Sequence, residues 1–187
     1  GLFGFLGVFM VSKWVGVLGG GRGGEAAAKK LAEAGAQVTL VERSALGGLC
    51  LNWGCIPTKI LLEGGRLYHQ ARSSSVLSGA PSLSVDWEKL QEKKRTLVDL
   101  FRKSLDQRLT QLRVRVVRGT ARFLSDRTLS VTSPHGVDMI SFDSAVIATG
   151  SRPFFPPPFD GLTESILDSD RVLGLETVPQ RLVVVGG

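Results

Sequence analysis

The two cysteines of the chain, Cys50 and Cys55, are separated by only four residues, which include the turn-forming Asn52 and Gly54. A disulfide needs Cα atoms about 4.4–6.8 Å apart, so this segment must fold back on itself, and those two residues allow it to do so. Pro57 favours the first turn of a helix, which places Cys55 where the positive end of the helix dipole stabilises a thiolate. A thiolate beside a second thiol is typical of dithiol–disulfide exchange.

Two buried thiols, or half of a metal site, are the alternative interpretations of this cysteine pair. A zinc site usually takes four ligands, and only His69 and His135 remain to complete one. Neither histidine has a spacing that supports such a site. We therefore predict no metal centre.

A second candidate site is the glycine motif Gly19-x-Gly21-x-x-Gly24, which follows a short apolar run and is followed by Glu42, 18 residues after Gly24. This is the context of a dinucleotide-binding fingerprint. Gly19 permits the tight turn, Gly21 lets the backbone approach a pyrophosphate, and Gly24 allows helix and strand to pack closely. The helix N-terminus attracts the phosphates, and Glu42 can accept hydrogen bonds from a ribose. The motif does not by itself separate FAD from NAD, and a glycine-rich structural turn is the alternative.

The predicted elements around these motifs begin with a β-α-β unit. Its strands are residues 14–18 and 37–41, and its helix is 25–34, with good helix propensity and a glycine just after it. The Pro57 helix runs to about Arg72. A further helix is predicted from apolar residues that recur at helical spacing, namely Trp87, Leu90, Leu97, Phe101, Leu105, Leu109 and Leu112.

Short strands follow this long helix. Residues 113–117, 120–124, 128–132 and 137–142 are predicted to form an antiparallel meander. A buried strand is expected at 144–149, an extended linker at 153–158, and one more apolar strand at 181–185.

The net charge of +6 raises the possibility of a nucleic-acid partner. Much of the positive charge lies between Lys89 and Arg118, where basic and acidic residues alternate as on a solvated helix face rather than a phosphate-binding stripe. The first 12 residues are apolar but too few for a membrane span of about 20 residues. We predict neither a nucleic-acid nor a membrane partner. An apolar fraction of 43% with 21% charged residues excludes a disordered chain.

The segment from Gly47 to Lys59, together with the fingerprint and Glu42, resembles the pyridine nucleotide–disulfide oxidoreductases, and most closely their dihydrolipoamide dehydrogenase branch. The run from Ala148 to Pro153 (ATGSRP) is similar to the family's ATG motif, and residues 182–187 (LVVVGG) resemble the start of a second, NAD-binding fingerprint. Leu49, Trp53 and Arg22 depart from the residues usual in the family.

The resemblance implies an α/β fold, an FAD-binding, doubly wound, Rossmann-like parallel sheet that carries an antiparallel β-meander. Residues 1–12 would be an apolar extension, 13–152 the first segment of the FAD-binding domain, and 153–187 a linker with the first strand of a truncated NAD(P)-binding domain. The residues that would bind FAD are Gly19, Gly21, Gly24, Glu42, Arg43, Gly47, Gly48, Cys50, Lys59, Gly119, Ala121, Thr149, Gly150 and Ser151.

The resemblance also implies the chemistry. Cys55 would be the thiol that faces the flavin, Cys50 the outer thiol that exchanges with substrate, and Lys59 would lie close to the flavin ring. Electrons would pass between NAD(P)H, FAD, the Cys50–Cys55 disulfide and a dithiol or disulfide substrate such as dihydrolipoamide, either as a small molecule or on a lipoyl domain.

The expected full-length enzyme is a homodimer of the cytoplasm or the mitochondrial matrix, and we expect this chain to be a piece too incomplete for turnover. The alternatives are another reductase of the family, acting on glutathione-like disulfides or mercuric ions, and a non-catalytic FAD-binding remnant.

Overall fold

The computed structural model describes residues 13–78, 82–162 and 166–186, so the expected apolar extension at 1–12 lies outside the described residues. The chain forms two compact units. The first comprises the chain up to Leu46 together with Asp106–Thr149, and the second comprises Gly47–Leu105 together with Gly150–Gly187. The expected α/β fold class is confirmed, because the first unit contains a parallel sheet and a separate antiparallel sheet.

The parallel sheet holds the first two strands of the chain and two later ones. They are β1 (Trp14–Leu18), β2 (Gln37–Glu42), β3 (Arg115–Arg118) and β7 (Ser144–Ile147), in the spatial order β3-β2-β1-β7. Helix α1 (Arg22–Glu33) connects β1 to β2, as the β-α-β prediction requires. Ligands of such sheets bind outside the carboxyl ends of the strands, so this topology marks the edge where a site is expected.

The antiparallel sheet is a three-stranded meander of β4 (Thr120–Ser125), β5 (Thr128–Ser133) and β6 (Gly136–Ser141). Side chains alternate across a strand, so Leu18 of β1 packs on the meander side, where Leu129 and Phe142 are buried with it. Val17 lies beside the start of α1 instead. The parallel sheet therefore lies between the helix and the meander.

The prediction that 113–117 belongs to the meander is wrong. This segment forms β3, which pairs in parallel with β2 through Thr39 and Arg115. Residues that alternate in polarity look alike in both kinds of sheet, and the sequence pattern alone cannot choose the partner. The long helix before β3 supplies the crossover that a parallel partner needs.

Two further strand predictions need correction. The predicted buried strand at 144–149 is β7, which ends at Ile147 and lies at the edge of the sheet, so Ile147 is 68% exposed. The predicted strand at 181–185 does not form among the described residues, and Val183 there is 86% exposed. Apolar β-branched residues favour a strand, but without a neighbouring strand their backbone has no ladder to join.

The second unit is helical. It contains α2 (Gly48–Asn52), α3 (Cys55–Ser73), most of α4 (Trp87–Gln111), a 3-10 turn at Asp160–Leu162 and α5 (Ser169–Val172). Helix α2 lies between the predicted strand at 37–41 and the predicted Pro57 helix, where the sequence predicted no helix. The left-handed conformation of Gly47 at its N-cap, with φ of +93°, explains how the chain turns into it.

Helix α4 buries a stripe that only partly matches the predicted one. Gln91, Val98 and Leu105 are buried at seven-residue intervals, whereas the expected core residue Phe101 is 47% exposed. The Trp87 side chain donates a hydrogen bond to the carbonyl oxygen of Leu175, and the Gln91 side chain donates to the carbonyl oxygens of Leu175 and Leu173. The buried stripe of α4 is therefore partly polar, because its side chains contact backbone carbonyl oxygens as well as apolar side chains.

None of the helices in the described part of the chain is both long and apolar enough to cross a membrane.

Candidate functional site

The glycine motif forms the tight turn between β1 and α1. Gly19 has φ of +99°, and a Cβ atom there would lie 2.2 Å from the carbonyl oxygen of Ala148. A Cβ atom at Gly24 would lie 1.8 Å from the carbonyl oxygen of Gly19. Gly21 is the N-cap of α1 and provides no side-chain cap for the first turn. The close approach expected of a fingerprint is therefore present, and the N-terminus of α1 is left to backbone groups that can bind an anion.

The Glu42 carboxylate holds this turn from the end of β2. Its Oε2 accepts a hydrogen bond from the backbone N–H of Gly20 at 2.6 Å, and its Oε1 accepts one from that of Ser44 at 2.7 Å. Glu42 is only 8% exposed. Each carboxylate oxygen can accept more than one hydrogen bond, so Glu42 keeps the capacity to bind a ribose hydroxyl.

A cavity of about 130 Å³ lies beside Glu42 in the first unit. Its lining residues come from the carboxyl ends of β1 and β2, from the start of β4 and from the segment after β7. They are Leu18, Gly19, Val41, Glu42, Arg43, Gly119, Thr120, Ala121 and Thr149. Six of them were predicted to bind the cofactor from positions up to 130 residues apart in the sequence, and the fold brings these six together.

The glycine at position 119 explains how two strands of different sheets meet at this cavity. Its N–H donates to the carbonyl oxygen of Glu42 at 3.0 Å. A Cβ atom there would lie 2.7 Å from the carbonyl oxygen of Thr132. A larger residue would collide with β5 at this point and displace the backbone that lines the cavity, so the cavity depends on this glycine.

The remaining predicted residues lie in the second unit, apart from Gly21 and Gly24 in the α1 turn. Gly47 and Gly48 begin α2 with positive φ values, Gly150 also has a positive φ, and Ser151 is exposed. A Cβ atom at Gly47 would lie 2.3 Å from the Leu51 side chain. The backbone conformation favours glycine at these positions, whether or not they contact a ligand.

The two cysteines lie on consecutive helices of the second unit. Cys50 is the third residue of α2 and half-buried, and Cys55 is the first residue of α3 and exposed. No disulfide joins these two described residues in the structure. Cys55 stands at the positive end of a 19-residue helix, as predicted. Lys59 is exposed one turn later, and the i, i+4 spacing puts its cation on the same face as Cys55.

The side chain of Asn52 fixes the turn between the cysteines. Its Nδ2 donates to the carbonyl oxygen of Gly48 at 2.9 Å, and its Oδ1 accepts from the guanidinium of Arg102. Trp53, the next residue in the chain, is 36% exposed. Arg102 lies in the segment whose charged residues were predicted to occupy a solvated helix face; its side chain is 37% exposed, but it also bonds to Asn52, a contact that was not predicted. Its position one turn after Val98 on the buried stripe was the available signal.

Among the described residues, no three or more His, Cys, Asp or Glu side chains are grouped so that they could hold a metal ion.

The sequence profile of the family described as "Pyridine nucleotide-disulphide oxidoreductase" matches residues 13–187. The chain belongs to this family. The expected cofactors agree with it, since the family is named for its pyridine nucleotide and includes flavoproteins, so FAD and NAD(P) are confirmed as the cofactors of the family.

Known members of the family resemble the chain over most of its length. It is 41% identical over 176 residues to a dihydrolipoyl dehydrogenase of Bacillus subtilis, covering 91% of the chain and 38% of that protein. It is 40% identical over 173 residues to dihydrolipoyl dehydrogenase 2 of Haloarcula marismortui, covering 91% of the chain and 37% of that protein.

A solved structure is also similar, the Cu(II) complex of the HOCl-induced flavoprotein disulfide reductase RclA from Escherichia coli. It has a TM-score of 0.73 at 29% sequence identity, and the match covers 89% of the chain and 35% of RclA. The chain thus spans well under half the length of the family members it matches.

Proposed function

We propose that the chain is the FAD-binding part of a flavoprotein disulfide oxidoreductase of the dihydrolipoyl dehydrogenase kind. The observation that carries this proposal is the cavity beside Glu42, where residues predicted separately as cofactor ligands form one lining. The turns around it leave no space for a Cβ atom at Gly19 or Gly24, as a backbone that binds a pyrophosphate closely requires.

We place the ADP half of FAD at this edge of the first unit. The first-turn N–H groups of α1 would bind the pyrophosphate, and the Glu42 carboxylate would accept hydrogen bonds from the ribose. The backbone at Gly119 and Ala121 would lie along the adenine. The other predicted contacts, from Gly47, Gly48, Cys50, Lys59, Gly150 and Ser151, belong to the same proposal for the rest of the cofactor.

The cysteine pair would carry the thiol chemistry. When bound, FAD supplies a carrier for two electrons beside the dithiol. The Cys50 thiolate would attack one sulfur of a substrate disulfide and release the first substrate thiol. The Cys55 thiolate would then attack Cys50, which releases the second substrate thiol and leaves a Cys50–Cys55 disulfide.

For the whole protein we propose reaction with NAD(P) and a dithiol or disulfide substrate such as dihydrolipoamide, by a homodimer in the cytoplasm or mitochondrial matrix. The division into an FAD-binding segment at 13–152 and a linker with the start of an NAD(P)-binding domain at 153–187 is part of this proposal. The similarity to dihydrolipoyl dehydrogenases supports the lipoyl substrate over the glutathione-like or mercuric alternatives.

Flavin binding tests the first half of the proposal. FAD titrated against the purified chain should lose fluorescence as it binds, and ADP should displace it. In Glu42→Gln, one of the two backbone N–H groups would face an amide N–H instead of an oxygen, so we expect FAD to bind at least about tenfold more weakly. Glu33→Gln, at the exposed end of α1, is the matched control and should bind like the wild type. Equal FAD affinity for Glu42→Gln and the wild type would refute the placement of the ADP half.

Absorbance spectra of the FAD-loaded chain test the role of the cysteines. Reduction by a dithiol should produce the long-wavelength band of a thiolate next to flavin. The band should persist in Cys50→Ser and disappear in Cys55→Ser. Bound flavin without such a band in the wild type would leave the non-catalytic FAD-binding interpretation in its place.

A further inference from the structure

Arg102 connects the turn between the two cysteines to helix α4. Arg102 donates from Nε and Nη2 to the Oδ1 atom of Asn52, at 3.1 and 2.7 Å. Its third nitrogen, Nη1, donates to Oδ1 of Asp99 at 2.8 Å. The guanidinium is therefore fixed at both ends, by the cysteine turn and by its own helix.

Asn52 passes this restraint on to the segment that carries the thiols. It lies two residues after Cys50 and three before Cys55. Its amide nitrogen donates to the carbonyl oxygen of Gly48 at the start of α2, while its oxygen accepts from Arg102. One side chain thus connects the beginning of the Cys50 helix to α4.

Helix α4 is anchored by buried side chains on either side of Arg102. Arg102 lies between the buried residues Val98 and Leu105 on the same helical stripe, and its own side chain is only 37% exposed. Hydrogen bonds from an ionised donor are about twice as strong as those between neutral groups, and the planar guanidinium fork loses little rotamer freedom for each bond formed. The hydrogen-bond partners of Arg102 therefore hold its guanidinium in one fixed arrangement, which a flexible cation on the surface would not maintain.

We propose that Arg102 is a positioning residue for the Cys50–Cys55 pair, acting through Asn52 to hold the turn in the shape from which the disulfide closes. This inference rests on the proposed function, since it assigns a purpose to the restraint only if the two thiols form a disulfide. Trp53 and Gly54 complete the same turn. If Asn52 is no longer held by Arg102, the whole segment that joins the two sulfur atoms gains conformational freedom.

The physical effect is on the equilibrium between dithiol and disulfide. Reduction by a small dithiol breaks the Cys50–Cys55 bond, transfers two electrons and two protons to the protein sulfurs, and closes the reagent to its own cyclic disulfide. A turn already held in shape loses less conformational entropy when the disulfide closes. Without the arginine, the dithiol form gains freedom and the equilibrium moves towards reduction.

The test is the equilibrium of the whole chain with oxidised and reduced dithiothreitol, read by alkylation of free thiols and mass spectrometry. We expect Arg102→Met to shift the equilibrium constant towards the dithiol by about tenfold, which is about 30 mV in midpoint potential. Arg102→Lys, which offers one ammonium group in place of the fork, should recover part of the shift. Arg66→Met is the control, because it removes an arginine that hydrogen-bonds to Glu63 and Gln70 on its own exposed helix surface. It should stay within about twofold of the wild type.

The outcomes separate this inference from the proposed function. A wild type that forms no Cys50–Cys55 disulfide contradicts the proposed function and the inference with it. A wild type that forms the disulfide, with an unchanged equilibrium in folded Arg102→Met, contradicts the inference alone. Far-UV circular dichroism establishes that each variant is folded. If Arg102→Met does not fold, the Arg102→Lys variant decides, because a shift of less than about twofold there overturns the proposal.

Discussion

Replacement of Gly24 by alanine tests the central feature of the nucleotide-binding turn, the close approach of helix α1 to the backbone of Gly19. The added Cβ atom would lie 1.8 Å from the carbonyl oxygen and 2.9 Å from the carbonyl carbon of Gly19. Cβ atoms in proteins do not approach oxygen closer than about 3 Å, so helix and turn must separate by roughly 1 Å. The obstacle is backbone, and no side-chain rotation can remove it.

The expected loss of stability follows from this geometry. Overpacking of a close-packed site costs typically about 1–3 kcal/mol, and a backbone obstacle places Gly24→Ala at the upper end, about 3 kcal/mol. For a chain of this length the midpoint of thermal unfolding should fall by roughly 6–12 °C. The neighbouring Gly23→Ala is the matched control, because its Cβ would meet only the Ala148 side chain, at 3.9 Å. It should be neutral or more stable by about 0.5–1 kcal/mol, since alanine favours a helix over glycine.

The assay is urea and thermal unfolding of both variants and the wild type, followed by far-UV circular dichroism, with FAD titration of the folded proteins. Gly24→Ala should also bind FAD at least about tenfold more weakly, because the separated turn no longer presents its N–H groups to the pyrophosphate. If Gly24→Ala were as stable as Gly23→Ala, the argument from close approach would be refuted for this turn.

Three further predictions concern the second unit. In α3, Gly65→Ala should raise the free energy of unfolding by about 1 kcal/mol, because its Cβ atom would meet nothing within 4 Å. Gly64→Ala should raise it less, since its Cβ atom would lie 2.7 Å from the Leu90 side chain. Equal increases for the two variants in urea unfolding would contradict this. Gln91→Met should lower that free energy by about 1–2 kcal/mol, as the carbonyl oxygens of Leu173 and Leu175 lose a buried donor, whereas Gln107→Met on the exposed side should change it little. The hydrogen bonds from Lys89 lower the pKa of Asp86 from its usual 3.8, so the unfolded chain binds more protons and this stabilisation is lost as the pH falls through the lowered pKa. Asp86→Asn should therefore reduce the acid dependence of the urea midpoint, and an unchanged pH profile would count against the assigned role.

Much of the candidate site could be predicted from local sequence because its requirements are local. A turn that needs positive φ at Gly19 and close packing at Gly24 permits hardly any other residue, and the acidic residue at the end of β2 follows at a fixed distance along the chain. The same holds for Cys55 at the first position of α3, where Gly54 and Pro57 mark the helix start. The cysteine segment and the glycine motif together were enough to place the chain in its family.

The partners of the strands could not be predicted in this way. The alternating residues at 113–116, which lead into β3, fit either sheet, and only the position of β2 and the length of the α4 crossover decide that β3 pairs in parallel. The apolar residues at 181–185 satisfy every local preference for a strand, yet they form none among the described residues, because a strand is stabilised by its neighbours rather than by its own composition.

The sequence by itself determined the chemistry of the two sites: the thiol pair, the glycine turn and the acidic residue that follows it. Only the tertiary structure decided that Gly119 and Thr149 line the same cavity as Glu42, and that Arg102 binds Asn52. The physical reason is that local backbone geometry depends on residues a few positions apart. A cavity lining and a charge-assisted hydrogen bond between residues 50 positions apart depend instead on how the elements pack.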